Sequence, residues 1–202
     1  MSWMWVLVVV AALGLYQGTR KKQVEGTTLQ PKRRLTIVSL VLPGEAPTAM
    51  IDWAARCLIE DLDLEVDIRT SPLTISKSSF HPTRGQGNAV TMVEIVETLV
   101  SQDCAVLGLT EYDLHSPLRK DLAFALGARK GWAGLISTYR MEDKNNPENS
   151  LLRLRKMLVR YGAELVCDAQ RESDPRSVLY EHLHTPEQLD IMEWPAPGPG
   201  LD

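Results

Sequence analysis

The sequence predicts an α/β domain of three layers, in which helices pack on a mixed, mostly parallel, twisted sheet. Two observations carry this prediction. Short apolar runs of strand length alternate along the chain with apolar residues at helical spacing. Such alternation is typical of α/β proteins, in which helices connect the strands. The length of 202 residues suits one domain of moderate size with a sizeable core.

The composition excludes several classes of protein. Apolar residues make up 44% and charged residues 24%, unlike disordered, collagen-like or coiled-coil chains. The net charge of −4 lacks the basic excess of a nucleic-acid binder, so we expect no nucleic-acid partner. The cysteines Cys57, Cys104 and Cys167 are too few and too widely spaced for a disulfide-built fold or a paired-cysteine metal site.

Residues 1–19 carry no charged side chain and are dominated by the run WMWVLVVVAALGLY. A helix that spans a membrane needs about 20 mainly apolar residues, and Trp3 and Tyr16 flank this run as interfacial aromatic residues do. We therefore predict a hydrophobic helix that anchors the chain in a membrane by a single pass. A cleaved signal peptide and a buried helix of the domain are the alternatives.

Residues 20–32 form a polar linker that begins with Arg20, Lys21 and Lys22. Because positive residues stay on the cytoplasmic side of a membrane anchor, we expect the domain on that side. The same residues attract anionic lipid headgroups. If the N-terminal segment is instead a cleaved signal peptide, the domain is exported.

The predicted domain covers residues 33–192, and its first half begins with a strand. Residues 35–42 (LTIVSLVL) form a continuous β-branched and leucine run that indicates burial on both faces. Apolar residues at helical spacing then predict a helix over residues 50–62, and alternation over residues 64–68 predicts a half-buried strand. Residues 71–88 lack periodicity and contain two prolines and two glycines, which predicts a long connection.

The middle of the domain continues with a second helix, for which Asn88 is the predicted N-cap and which runs over residues 89–100. The run AVLGL at residues 105–109 predicts another buried strand. Two further apolar runs, at residues 122–128 and 133–139, predict an antiparallel pair.

A long helix follows, capped by Asn146 and opened by Pro147, and ends near residue 166. Its predicted buried stripe consists of Leu151, Leu154, Leu158, Tyr161 and Leu165. A short helical turn is predicted after Thr185 and Pro186, and residues 193–202 form a flexible tail rich in proline and glycine.

Four short segments, in the same order along the chain, resemble sequence motifs of the archaemetzincin family of zinc peptidases. They are Arg84-Gly85-Gln86 before Asn88, VLGLTEYDLHSP at 106–117, FALGAR at 124–129 and LISTYR at 135–140. The run LLRLRKML at 151–158 is similar to the segment that precedes the family's zinc-binding helix. The resemblance extends over nearly the whole domain and implies a metzincin-like fold.

The resemblance implies a zinc site that this chain lacks. The family binds zinc through two histidines four residues apart on a helix and a third histidine beyond it, with a glutamate as general base. When the helix is aligned on Gly162, the two ligand positions are Val159 and Ala163 and the base position is Arg160. The third ligand falls near Ala169.

Valine and alanine offer no lone pair to a metal, and an arginine stays protonated and repels Zn²⁺. The family's second zinc needs cysteines after this helix, and none follows Cys167. We therefore expect no metal and no other cofactor, and a pseudopeptidase with lost catalysis. Its cleft remains available for an extended peptide that adds to a sheet edge, or for a protein partner.

Two alternatives remain open. One is a hydrolase with a relocated metal site at His182 and His184, with Cys167, Asp168 or Glu181 as the third ligand; two solvated imidazoles are the simpler interpretation. The other is a purely structural subunit at the membrane. The predicted candidate binding residues of the cleft are Arg160, Tyr180, His182 and His184.

Other residues are expected to have structural functions. Leu179 takes the position of the methionine beneath the family's metal. Asp113 and Arg84 are expected to stabilise turns. Four basic residues of the long helix predict a solvated face, with binding of an anionic group as the alternative; they are Arg153, Arg155, Lys156 and Arg160.

Overall fold

The computed structural model describes residues 34–119 and 121–193. The predicted anchor (1–19), the linker (20–32) and all but the first residue of the predicted tail lie outside these ranges. Within the described part of the chain, no helix combines the length and apolar character that membrane crossing requires.

The described residues form seven strands and four α-helices. The strands are β1 Arg34–Val41, β2 Val66–Thr74, β3 Gly87–Asn88, β4 Cys104–Thr110, β5 Leu114–His115, β6 Gly127–Lys130 and β7 Ala133–Ser137. The helices are α1 Ile51–Leu62, α2 Ala89–Glu97, α3 Pro147–Val166 and α4 Pro186–Ile191. Two short 3-10 turns lie at Lys77–Ser79 and Tyr139–Met141.

Five strands form the central sheet in the order β2-β1-β4-β7-β6. All neighbours are parallel except β6 and β7, which are antiparallel. This confirms the predicted mixed, mostly parallel sheet and the predicted antiparallel pair. The first strand of that pair begins and ends later than the predicted range 122–128, because it comprises Gly127–Lys130.

The prediction that a connection begins at residue 71 is wrong, because β2 continues to Thr74 despite Pro72. A proline is tolerated there since β2 is an edge strand, where one side of the backbone needs no partner. The pairing with β1 is irregular at this point, between Val38 and Leu40. The small parallel pair of β3 with β5 was not predicted.

Separate cores cover the two faces of the sheet, as the three-layer prediction requires. Along β1, Leu35 and Ile37 face the core formed with α1, α3 and α4, whereas Val38 and Leu40 face the core formed with α2. The alternation follows from the two-residue period of a strand, so a strand buried on both faces is predominantly apolar.

Side-chain caps fix where two helices begin. The Asn88 side chain accepts hydrogen bonds from the backbone N–H groups of Val90 and Thr91, and the Asn146 side chain accepts one from Asn149. Both predicted caps are confirmed. The predicted stripe of α3 is buried except at its first member, because Leu151 is 44% exposed.

Candidate functional site

A cleft of about 640 Å³ opens between strand β6, helix α3 and the segment that follows α3. Residues of α2 and of the connection before β6 complete its walls. Strand β6 is the last strand of the sheet, so its outer edge borders this cleft.

Helix α3 presents Met157, Arg160 and Tyr161 to the cleft. Val159 and Ala163, which the sequence alignment on Gly162 predicts as the family's two ligand positions, are buried and do not line it. The donor set therefore does not fit zinc, because neither side chain has a lone pair and the intervening cleft residue is a cation.

Arg160 joins helix α3 to the loop that follows it. Its Nη1 atom donates hydrogen bonds to the carbonyl oxygens of Val178 and Tyr180, at 3.0 and 2.6 Å. Burial lowers the pKa of the Arg160 guanidinium, although nearby Glu164 opposes that shift. An arginine nevertheless remains protonated, so the chain holds a nearly buried cation at the residue that the alignment predicts as the general-base position.

Glu164 lies one turn after Arg160 and is fully buried. Its Oε1 atom is 3.2 Å from Nε of Arg160, without the alignment of a hydrogen bond. Its Oε2 atom accepts hydrogen bonds from Arg129 of β6 and from Arg171, at 3.2 and 3.3 Å. Sequence reasoning missed Glu164, although its i,i+4 spacing from Arg160 is the signal of a helical ion pair.

Tyr161 lies beneath the edge of the sheet. A Cβ atom on Gly127 would be 2.3 Å from the carbonyl oxygen of Leu135 and 2.7 Å from the Tyr161 hydroxyl. Only glycine fits this close approach. Burial raises the pKa of Tyr161 to about 12, so the hydroxyl stays neutral at physiological pH.

The two histidines after α3 do not converge with a third metal ligand. The ring centroids of His182 and His184 are 6.2 Å apart, and His182 is exposed and 3.2 Å from Glu181. Within residues 34–119 and 121–193, no three His, Cys, Asp or Glu side chains are grouped so that they could hold a metal ion. The relocated metal site therefore lacks a ligand set in this part of the chain.

The predicted cleft residues divide into two groups. Arg160 and His184 line the cleft, whereas Tyr180 and His182 do not. Tyr180 takes part through its backbone carbonyl, which accepts the short hydrogen bond from Arg160, and its ring packs edge-on against His182. Leu179, which the resemblance assigns to the position of the family's methionine, is half-buried against the core.

The prediction of a solvated basic face on α3 is wrong. Arg153 forms two hydrogen bonds with the carboxylate of Asp190, at 2.7 and 2.6 Å, and is buried. The Lys156 ammonium donates to the carbonyl of Leu189 at 2.6 Å, and burial lowers its pKa. Arg155, which is half-buried, pairs with a carboxylate of α1. These cations are covered because α3 packs against both α1 and α4.

Residues from three of the family-like segments meet at Asp113. Its carboxylate accepts hydrogen bonds from Arg140 at 2.8 and 2.6 Å and from Gln86 at 2.9 Å. The Arg140 guanidinium also lies 4.2 Å above the ring of Phe124. Asp113 thus stabilises the turn as expected, whereas Arg84 is exposed at the surface.

A mixed sheet with an antiparallel edge strand, a long buried helix and a cleft between them make up an α/β domain whose fold is similar to that of archaemetzincins. The solved structure of archaemetzincin from Methanopyrus kandleri matches with a TM-score of 0.64 and 20% identity, over 82% of this chain and 90% of that chain.

Two further solved structures give similar values. The zinc-dependent peptidase from Methanocorpusculum labreanum matches with a TM-score of 0.59 and 15% identity, over 78% of this chain and 93% of its own. Archaemetzincin from Archaeoglobus fulgidus, solved in complex with malonate, matches with a TM-score of 0.60 and 15% identity, over 78% and 92%. No protein-family model and no curated protein matches the chain. Identities this low show the fold alone.

Proposed function

We propose that this chain is a catalytically inactive archaemetzincin-like pseudopeptidase, anchored in a membrane by residues 1–19, whose cleft binds an extended peptide segment of a partner. The observation that carries the loss of catalysis is the position of Arg160. Its guanidinium donates hydrogen bonds to the carbonyls of Val178 and Tyr180, and the alignment on Gly162 assigns this residue to the position of the family's carboxylate base. Val159 and Ala163, at the ligand positions, cannot coordinate zinc.

The edge of β6 supports peptide binding. Ser137 donates its backbone N–H to the carbonyl of Leu126, and hydrogen-bonded and non-bonded pairs alternate along an antiparallel ladder. The backbone groups of Gly127 and Arg129 consequently face away from β7. An extended peptide that pairs with them adds a strand to the sheet and places alternate side chains in the cleft.

Metal content and hydrolysis test the loss of catalysis. The full-length protein, purified in detergent, is dialysed against zinc and then against buffer, and its metal is measured by mass spectrometry. We expect far less than one zinc per chain and no cleavage of a mixed fluorogenic peptide library. Stoichiometric zinc together with peptide hydrolysis contradicts the proposal.

Membrane extraction tests the anchor. The apolar run at residues 1–19 and the basic residues that follow it support a single-pass anchor with the domain on the cytoplasmic side. We expect the full-length chain to stay in the membrane fraction at alkaline pH and a chain without residues 1–19 to be released. A mature N-terminus beyond residue 19 contradicts the anchor and indicates a signal peptide.

A further inference from the structure

The floor of the cleft holds more positive than negative charge. The carboxylate of Glu164 lies 3.2, 3.2 and 3.3 Å from the guanidinium groups of Arg129, Arg160 and Arg171. In the described part of the chain, no other carboxylate forms an ion pair with any of these arginines. One negative charge therefore meets three positive charges, which leaves an excess of two at this point of the cleft.

Two of the three arginines are accessible to a ligand. The side chains of Arg129 and Arg171 are 34% and 46% exposed and line the cleft, whereas Arg160 is nearly buried. A guanidinium has five N–H donors. Arg129 uses Nη1 on Glu164 and Nε on the carbonyl of Gly131, and Arg171 uses Nη2 on Glu164. Both arginines therefore retain donors for an anion.

The lining of the cleft is apolar in the segment before β6 and cationic near the C-terminal end of β6. Leu122, Phe124 and Leu126 line the cleft before β6, and Arg129 lies near the C-terminal end of that strand. The outer edge at Ala125 is already bridged to Leu114. An extended peptide parallel to β6 therefore pairs from Gly127 onward, and its preceding apolar side chains lie beside the apolar segment. Since an extended chain advances about 3.3 Å per residue, its C-terminus reaches Arg129 a few residues further on.

We propose that the cleft binds the free C-terminus of an extended apolar peptide and that Arg129 and Arg171 hold its α-carboxylate. This inference rests on the proposed function, in which the cleft binds peptides. Hydrogen bonds between a guanidinium and a carboxylate are charge-assisted and strong. The excess of positive charge in the cleft attracts the carboxylate before contact is made.

Three labelled hexapeptides test the site against the full-length protein in detergent by fluorescence anisotropy. The first is Ala-Leu-Ala-Phe-Ala-Leu with a free carboxylate, and the second is its C-terminal amide. The third is the same amide with Glu in place of the Ala at its third position. We expect the free acid to bind about tenfold more tightly than either amide, the effect of one charge-assisted contact.

Arginine variants assign the effect to the site. Arg129→Gln and Arg171→Gln should each weaken binding of the free acid about fivefold to tenfold and leave the plain amide unchanged. Arg56→Gln, which removes an exposed arginine of α1 outside the cleft, is the matched control and should change neither affinity. Arg171→Lys keeps the charge without the planar donor pair and should give an intermediate loss.

The outcomes separate this inference from the proposed function. Equal binding of the acid and its amide overturns the carboxylate site and leaves peptide binding in place. The carboxylate site is also wrong if Arg171→Gln binds the acid as tightly as the parent chain. If the Glu-containing amide equals the free acid, the assignment to a C-terminus is wrong. If none of the three peptides binds, both this inference and the peptide-binding part of the proposed function fail.

Discussion

The guanidinium of Arg140 and the carboxylate of Asp113 form a two-fold hydrogen-bonded ion pair, with Nε–Oδ1 and Nη2–Oδ2 distances of 2.8 and 2.6 Å. Gln86 donates to the same carboxylate and to the carbonyl of Ala123. The pair thus connects the segment before α2, the turn after β4 and the end of β7. The Asp113 carboxylate therefore holds together three segments that are far apart along the chain.

Replacing this carboxylate should destabilise the domain. Asp113→Asn leaves the half-buried Arg140 without its counter-ion, and we expect a loss of about 2 kcal/mol in the free energy of unfolding at pH 7. Chemical denaturation measures the loss. Asp121→Asn is the matched control: it breaks an exposed arginine pair, which solvent screens, and should cost much less than Asp113→Asn. Equal losses in the two variants contradict the structural function of Asp113.

The contribution of Asp113 should depend on pH in one direction. Burial acts to raise its pKa, but the hydrogen bonds from Arg140 and Gln86 outweigh burial and hold the pKa below its ordinary value. As the pH falls below about 4, the unfolded chain therefore binds this proton first. The stabilisation is complete above that pH and is lost as the pH falls through the folded-state pKa. The difference in unfolding free energy between the parent chain and Asp113→Asn should shrink steadily on acidification; a constant difference contradicts the pKa shift.

Arg160 and Glu164 should show coupled effects on stability. Arg160→Met removes the donor to two backbone carbonyls and one cation beside a buried carboxylate, so we expect a loss of about 3 kcal/mol. Glu164→Gln leaves three arginines without their shared carboxylate and should also destabilise the fold. A double-mutant cycle should give a coupling energy of about 1–3 kcal/mol. Additive losses contradict a direct interaction.

Much of the architecture was predictable because its cause is local. Apolar runs such as residues 35–42 and caps such as Asn88 and Asn146 act through neighbouring atoms, so strand and helix positions follow from the sequence. The extension of β2 through Pro72 was not predictable, since it depends on β2 being an edge strand. The two-residue strand β3 is too short to leave a pattern.

The site was predictable in part. The base and ligand positions on α3 stay a prediction, which rests on the alignment on Gly162 and on the fixed spacing of the family's residues on one helix. The acceptors of Arg160 are backbone carbonyls 18 and 20 residues further on, and backbone atoms leave no sequence signal. Basic residues at helical spacing predict a solvated face, and the burial of Arg153 depends on α4, which reaches it from a distant part of the chain.

A substitution at Gly127 should be costly. A Cβ atom there meets the backbone carbonyl of Leu135 at 2.3 Å, and a backbone atom cannot move aside cheaply. We expect Gly127→Ala to lose about 2–3 kcal/mol in unfolding free energy. Gly131→Ala is the control, because it adds a methyl group in open space and costs only the left-handed backbone strain, about 1 kcal/mol. If Gly131→Ala is the more damaging change, the close approach at β6 is wrong.

Restoring the family's residues should restore part of a zinc site. The triple change Val159→His, Arg160→Glu, Ala163→His places two imidazoles one helical turn apart and removes the cation between them. We expect the folded variant to bind about one zinc per chain, measured by calorimetry. Affinity should remain weaker than in a complete site, because Ala169 supplies no third ligand.

The variant Val159→Ala, Arg160→Gln, Ala163→Ser is the matched control, since it removes the same cation without adding imidazoles. It should bind no zinc, which separates loss of charge repulsion from gain of ligands. Circular dichroism must show that both variants keep the helical content of the parent chain. A folded histidine variant that binds no more zinc than this control contradicts the alignment of α3 on Gly162, and with it the assignment of Arg160 to the position of the general base.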